Sequence, residues 1–180
     1  MRDFSETDDL TDLPNMRAFA AALERQCPKA EVAEVSFGVM MIDADGLKPI
    51  NDQNGHDAGN QMIQHVVSAI HRGVRSSDLV ARCGGDEFVV LVPDGDHETV
   101  GMVAERVRQS VENSAVDIDG TSMSVTVSIG FAVYPDTARD PDGLPRRADE
   151  ALYAGKRAGR DHVQAYETRE DRAQSEAGGS

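Results

Sequence analysis

The stretch "LVARCGGDEFVVLV", residues 79 to 92, limits the fold more than any other. Two strand-like apolar runs, Leu79 to Cys83 and Phe88 to Val92, are separated by a glycine pair, which is the composition of a β-hairpin turn. An antiparallel pair is therefore built into the middle of the chain, and a purely parallel sheet is excluded. The turn also carries Asp86 and Glu87, more acid than a hairpin needs.

Other segments extend this sheet. "EVSFGVMMID", ending at Asp43, is a continuous apolar run of the kind buried on both faces. "SVTVSIGFAV" alternates Val125, Val127, Ile129 and Phe131 at period two. Helical spacing marks residues 15 to 27, 57 to 73 (Met62, Ile63, Val66, Val67, Ile70), 100 to 111 (Val100, Val103, Val107, Val111) and about 142 to 159, with a short strand near 162 to 166. The order α-β-α-α-β-β-α-β-α-β predicts helices covering an α+β or mixed α/β sheet. At 180 residues the chain fits one domain. Residues 1 to 9 are polar, and the tail 167 to 180 has no apolar residue larger than alanine, so both ends are expected to lack fixed structure.

Charge narrows the function. The net charge is −14 and no Lys/Arg block could track a phosphate backbone, which argues against a nucleic-acid partner. An acidic protein still binds a phosphorylated small molecule when divalent ions stand between carboxylates and phosphates. The longest apolar run, 35 to 42, is too short to span a bilayer, and the N-terminus lacks the layout of a signal peptide, so a cytoplasmic location is expected. Cys27 and Cys83 have no metal or disulfide spacing and are read as inert thiols.

If the strand ending at Asp43 neighbours the hairpin, Asp43, Asp86 and Glu87 meet at one sheet edge, where their repulsion calls for a cation such as Mg²⁺. Acidic turn residues are also ordinarily just solvated, and the residues alone leave both readings open. Gly84 and Gly85 either let a ligand approach closely or simply serve the turn. Lys156 and Arg160, four apart on one helix face, form either a phosphate clamp or a solvated face.

Five ordered motifs carry a resemblance to the GGDEF family, the diguanylate cyclases. "DDLTDLPNMRAF" is similar to the family's DxLTGLxNRRxF opening, and "DADGLKPINDQNGHDAGN" to its DxDxFKxxNDxxGHxxGD segment. "RSSDLVARCGGDEF" resembles the signature hairpin with its upstream RxxD, and "VTVSIGFA" and "ADEALYAGKRAGRD" resemble the two closing motifs. The resemblance spans residues 8 to 166, with 1 to 7 a residual linker and 167 to 180 a disordered tail.

It implies an α+β fold of the nucleotidyl-cyclase and polymerase-palm type, with a central, mostly antiparallel five-stranded sheet flanked by helices. It also implies condensation of two GTP molecules, one per subunit of a weak or transient homodimer, into cyclic di-GMP and pyrophosphate. By resemblance Asp43, the carbonyl of Ala44, Asp86 and Glu87 hold two Mg²⁺ (or Mn²⁺) ions, and Asp86 and Glu87 are the catalytic acids. Lys48, Lys156 and Arg160 contact phosphates, Asn51 and Asn60 read guanine, and Gly84 and Gly85 lie under the nucleotide. Arg75 and Asp78 (RxxD), with Arg106, form an inhibitory product site for cyclic di-GMP. His56 is expected to pack. Members usually carry an upstream sensory domain, and with only residues 1 to 7 ahead of the first motif none is expected in this chain. A second reading is a catalytically poor domain that senses cyclic di-GMP or GTP. A purely structural dimer module would leave the acids unexplained.

Several positions depart from the pattern. Asn60 replaces an aspartate that would accept both guanine donors; an amide offers one acceptor and one donor, which also suits adenine, so relaxed base choice is an alternative. Asp12 replaces glycine, Met16 arginine, Leu47 phenylalanine and Asp161 asparagine, and Pro49 follows the lysine. Asp161 is expected to weaken the clamp by attracting Arg160.

Overall fold

The continuous apolar run becomes the middle of the sheet. The computed structural model describes residues 5–140 and 142–179. Strand β1 (Phe37–Asp45) is buried along nearly its whole length because helices cover both its faces. Val39 and Met41 point into one cluster with Phe19, Leu23, Ala148 and Leu152. Met40, Ile42 and Ala44 point into the other, with Met62, Val66, Ile70, Val103 and Val107. Each fully buried side chain of this size contributes about 1.5–3 kcal/mol.

The first face is covered by α1 (Met16–Ala33) and α5 (Gly143–Arg157). The second is covered by α3 (His56–Gly73) and α4 (His97–Glu112). The short α2 (Leu47–Asn54) links β1 to α3. The hairpin strands β2 (Leu79–Gly84) and β3 (Glu87–Val92) are antiparallel. A small hairpin, β4 (Val116–Ile118) with β5 (Thr121–Met123), precedes β6 (Thr126–Tyr134), and β7 (Val163–Ala165) follows α5. The five-stranded sheet runs β2-β3-β1-β6-β7, antiparallel except for the β6–β7 pair. This is the expected α+β, palm-like architecture. Gly130 of β6 is required by close approach: a Cβ there would overlap the Leu152 nitrogen and the Ala148 carbonyl of α5.

The expectations for the two ends need correction. The tail expected to be disordered carries α6 (Arg169–Ala177), whose N-terminus is closed by a capping box between Thr168 and Asp171. It buries no residue, so local capping and not packing forms it. At the other end residues 1–4 lie outside the described residues, but Asp8 is fixed by Thr11 and Arg82. The β4–β5 hairpin was invisible to periodicity because each strand is only 3 residues long. Among the described residues, no helix is long and apolar enough to cross a membrane.

Candidate active site

Register decides which acids meet. Asp43 is the Cα partner of Glu87 across β1 and β3 and of Ser128 across β1 and β6. Paired residues share a face, so Asp43 and Glu87 both look toward α5. Glu87 thus begins a strand instead of lying in the turn, which consists of Gly85 and Asp86. The Ala44 amide donates to the Asp86 carbonyl at 3.0 Å, tying the turn to β1. Gly84 (φ 140°) and Gly85 (φ 53°) need backbone conformations that favour glycine, and a Cβ at either would meet nothing within 4 Å. The turn explains the glycines, and the space above them is open.

Asp43 is nearly buried. One of its oxygens, Oδ2, is in ion-pair contact with Lys156 Nζ of α5, while Oδ1 is buried with no partner. A buried carboxylate oxygen ordinarily has a partner, so an unpaired one fits a ligand to a cation. Among the described residues no group of three or more His, Cys, Asp or Glu side chains converges tightly enough to hold a metal alone. Mg²⁺ is ordinarily held by one or two carboxylates with phosphates and waters completing its shell, and the acids nearest that role here are Asp43 and Asp86. Burial, then Asp149 and Asp86, push the Glu87 carboxyl up. Burial, then Glu87 and Asp149, push the Cys83 thiol up to about 11, so it stays neutral. Burial and the Arg160 guanidinium hold the Lys156 ammonium below the ordinary lysine range even with Asp43 in contact.

An open cleft of about 490 Å³ is lined by Asp43 to Pro49, Asp86, Lys156 and Arg160. It brings Asp43, Ala44, Lys48, Asp86, Lys156 and Arg160 together. At its floor α2 begins at Gly46 with no side-chain cap, leaving its first amides for an anion. Pro49 falls in that first turn, where a missing N–H costs nothing. Glu87, Gly84, Gly85, Asn51 and Asn60 lie outside the lining. Asn51 packs over α3, so closely that a Cβ at Gly59 would overlap its amide oxygen, and Asn60 is the next, exposed residue. His56, expected to pack, is exposed.

Arg75 and Asp78 are more than a weak surface pair. The Asp78 side chain is 0% exposed. It accepts from the Arg75 backbone at 2.7 Å and from Arg75 Nε and Nη2 at 3.2 and 3.0 Å, while Nη2 also donates to the Pro93 carbonyl at 2.6 Å. Arg106 is exposed on α4.

Sequence reasoning missed two supports. Asp45 accepts from Thr126 Oγ1 at 2.9 Å, from Ser128 Oγ at 3.0 Å and from the Asp161 amide at 3.2 Å, bracing β1 against β6 and the loop after α5. Its place two residues after Asp43, on the same strand face, was the available signal. Arg82 donates to both Asp8 oxygens at 3.0 and 3.1 Å and to the Gly85 carbonyl at 2.7 Å, so the N-terminal motif holds the acidic turn. Spacing alone carried no sign of that contact, since the partners are 74 residues apart.

A five-stranded, mostly antiparallel palm-type sheet flanked by helices is the fold of the nucleotidyl-cyclase class. The comparisons narrow it. The family model described as "Diguanylate cyclase, GGDEF domain" matches residues 5–162. The chain belongs to the GGDEF family. It is 38% identical over 164 residues to the probable diguanylate cyclase DgcT of Escherichia coli, covering 90% of this chain and 36% of that protein. It is 38% identical over 154 residues to the diguanylate cyclase TpbB of Pseudomonas aeruginosa, covering 85% and 35%. The chain thus spans little more than a third of the length of these relatives. The solved GGDEF domain of TpbB superposes with a TM-score of 0.87 at 35% identity, covering 94% of this chain and 99% of that one. The GGDEF domain of DgcB from Caulobacter crescentus, solved in complex with c-di-GMP, gives 0.84 at 35% identity, covering 93% and 97%.

Proposed function

We propose that this chain is a diguanylate cyclase that joins two GTP molecules into cyclic di-GMP. The observation that carries the reading is the cleft in which Asp43 and Asp86 face Lys48, Lys156, Arg160 and the uncapped start of α2. Divalent ions, when bound between these acids and a triphosphate, supply charge neutralisation and polarise the α-phosphate. The chain's own residues do the rest. Lys48, Lys156, Arg160 and the α2 amides hold the phosphates in line, which provides much of the acceleration in phosphoryl transfer. Asp86, at the tip of a turn tied to β1, accepts the proton of the attacking 3′-hydroxyl. The O3′–Pα bond forms, the bond from Pα to the bridging β-oxygen breaks, and pyrophosphate leaves. Two such steps close the ring, so a second copy presents the other GTP. Asp43 and Asp86 would hold the ions, with the Ala44 carbonyl a further oxygen ligand and Glu87, beside Asp43 on the same sheet face, a further carboxylate.

Base choice rests on Asn51 and Asn60. The amide at 60 satisfies only one of guanine's two donor groups, which favours a second reading of relaxed selectivity in which ATP competes. Arg75, held by Asp78 just before β2, and Arg106, exposed on α4, supply an inhibitory site for the product. The DgcB complex with c-di-GMP is consistent with product binding by this fold.

The test is direct. The protein with Mg²⁺ and equal GTP and ATP yields cyclic di-GMP by mass, and Asp86→Ala and Glu87→Ala each abolish it. No turnover with retained cyclic di-GMP binding would instead establish a sensing module. Adenine in the product would establish relaxed base choice.

A further inference from the structure

Gly159, Arg160 and Asp161 follow one another with positive φ, at 125°, 62° and 43°. Two non-glycine residues in succession in this region are disfavoured, and persist only where the surroundings over-determine them. The determinants are visible. The Asp161 amide donates to Asp45 Oδ2 at 3.2 Å, and Arg160 Nε stands 3.9 Å from Asp45 Oδ1. On the other side, Arg108 of α4 donates through Nη1 to Asp161 Oδ1 at 2.8 Å.

Arg108 lies outside the cleft and its own geometry is fixed. Its Nη2 and Nε hold Glu105 at 2.7 and 3.1 Å, Nη1 also holds Glu112 at 2.8 Å, and its side chain is 15% exposed. The Asp161 carboxylate is engaged by Arg108, while Arg160, whose side chain is 64% exposed, lines the cleft with Asp45 as its ion-pair contact. We propose that Arg108, acting through Asp161, is a positioning residue that sets the loop conformation presenting Arg160 to the substrate phosphates. This rests on the reading of Arg160 as a phosphate ligand.

The test measures the dissociation constant of 3′-deoxy-GTP with Mg²⁺, an analogue that binds but lacks the attacking hydroxyl. Arg108→Met and Asp161→Gly are compared with Arg160→Ala and with the double variant Arg108→Met/Arg160→Ala. Glycine at 161 keeps the left-handed backbone accessible and removes only the carboxylate, so it serves even where Arg108→Met fails to fold. Each single variant is expected to weaken binding about tenfold, the lower end of what outer-shell partners cost. The double variant should bind no more weakly than Arg160→Ala, because Arg108 acts through that residue. Wild-type affinity in Arg108→Met and Asp161→Gly, or losses that multiply in the double variant, overturn the inference while leaving the function standing. Wild-type affinity in Arg160→Ala overturns the phosphate reading, and this inference with it.

Discussion

Asp12 holds a backbone φ of 57° in the turn that leads into α1, while its amide donates to the Asp8 carbonyl at 2.9 Å. Glycine adopts that conformation freely and aspartate does so at a cost of about 1 kcal/mol, which explains the residue type the family pattern has there. Asp12→Gly is expected to raise the melting temperature by about 2–4 °C, read by thermal unfolding. An unchanged or lowered value would mean that the Asp12 side chain contributes something its backbone position conceals. Asp43 presents the opposite case, a residue whose charge needs company. With Oδ1 unpartnered and Oδ2 on Lys156, removal of the lysine leaves a buried carboxylate uncompensated. Lys156→Met should therefore cost about 3 kcal/mol in chelator. Millimolar Mg²⁺ should recover part of that loss by taking the ammonium's place, and equal losses with and without Mg²⁺ would argue that Asp43 is not a metal ligand.

At the scale of elements, the acidic hairpin is held from outside itself. Arg82 on β2 links the Gly85 carbonyl to Asp8, so the wide N-terminal turn and the acidic turn are tied to each other. Burial pushes the Asp8 carboxyl up, but the Thr11 hydroxyl and Arg82 pull it further down, to below its ordinary 3.8. A depressed carboxylate stabilises fully above the unfolded value and loses that contribution as pH falls from there through the lower folded value. Asp8→Asn should therefore lower the melting temperature by about 3–6 °C at pH 6, with the gap from wild type closing as pH falls below about 4. A gap independent of pH would assign the effect to packing. This contact marks the boundary of what the sequence made legible. Strands and helices with several apolar repeats, β1, β6, α3, α4 and α5, were readable because burial imposes a period on them. The hairpin glycines and acids were readable because turn chemistry is local. The β4–β5 hairpin was too short to show a period, α6 is a helix made by its cap without a core face, and Asp8–Arg82 and Arg108–Asp161 join residues whose proximity only the tertiary fold creates.

The whole molecule sets a condition on activity that no single site contains. The cleft lining carries three acids, Asp43, Asp45 and Asp86, and three bases, Lys48, Lys156 and Arg160, so it is locally balanced within a chain of net charge −14. A triphosphate with its metal ions is therefore not repelled at the cleft, whereas a second copy of the chain is repelled over the rest of the surface. Because the proposed reaction needs two cleft-bound GTP molecules face to face, the charge falls on assembly instead of on substrate binding. At saturating GTP, the rate per molecule is then expected to rise with protein concentration between about 10 nM and about 10 µM, as mass action requires of a weak dimer. Salt provides the discriminating measurement. Raising ionic strength toward about 0.15 M shortens the screening length to about 8 Å and weakens repulsion between like-charged copies. The concentration giving half-maximal specific activity should fall on adding salt, while a cyclase limited by GTP capture would lose activity as the contacts of Lys48, Lys156 and Arg160 with the phosphates were screened. A specific rate independent of both protein concentration and salt would exclude a weak dimer as the active species.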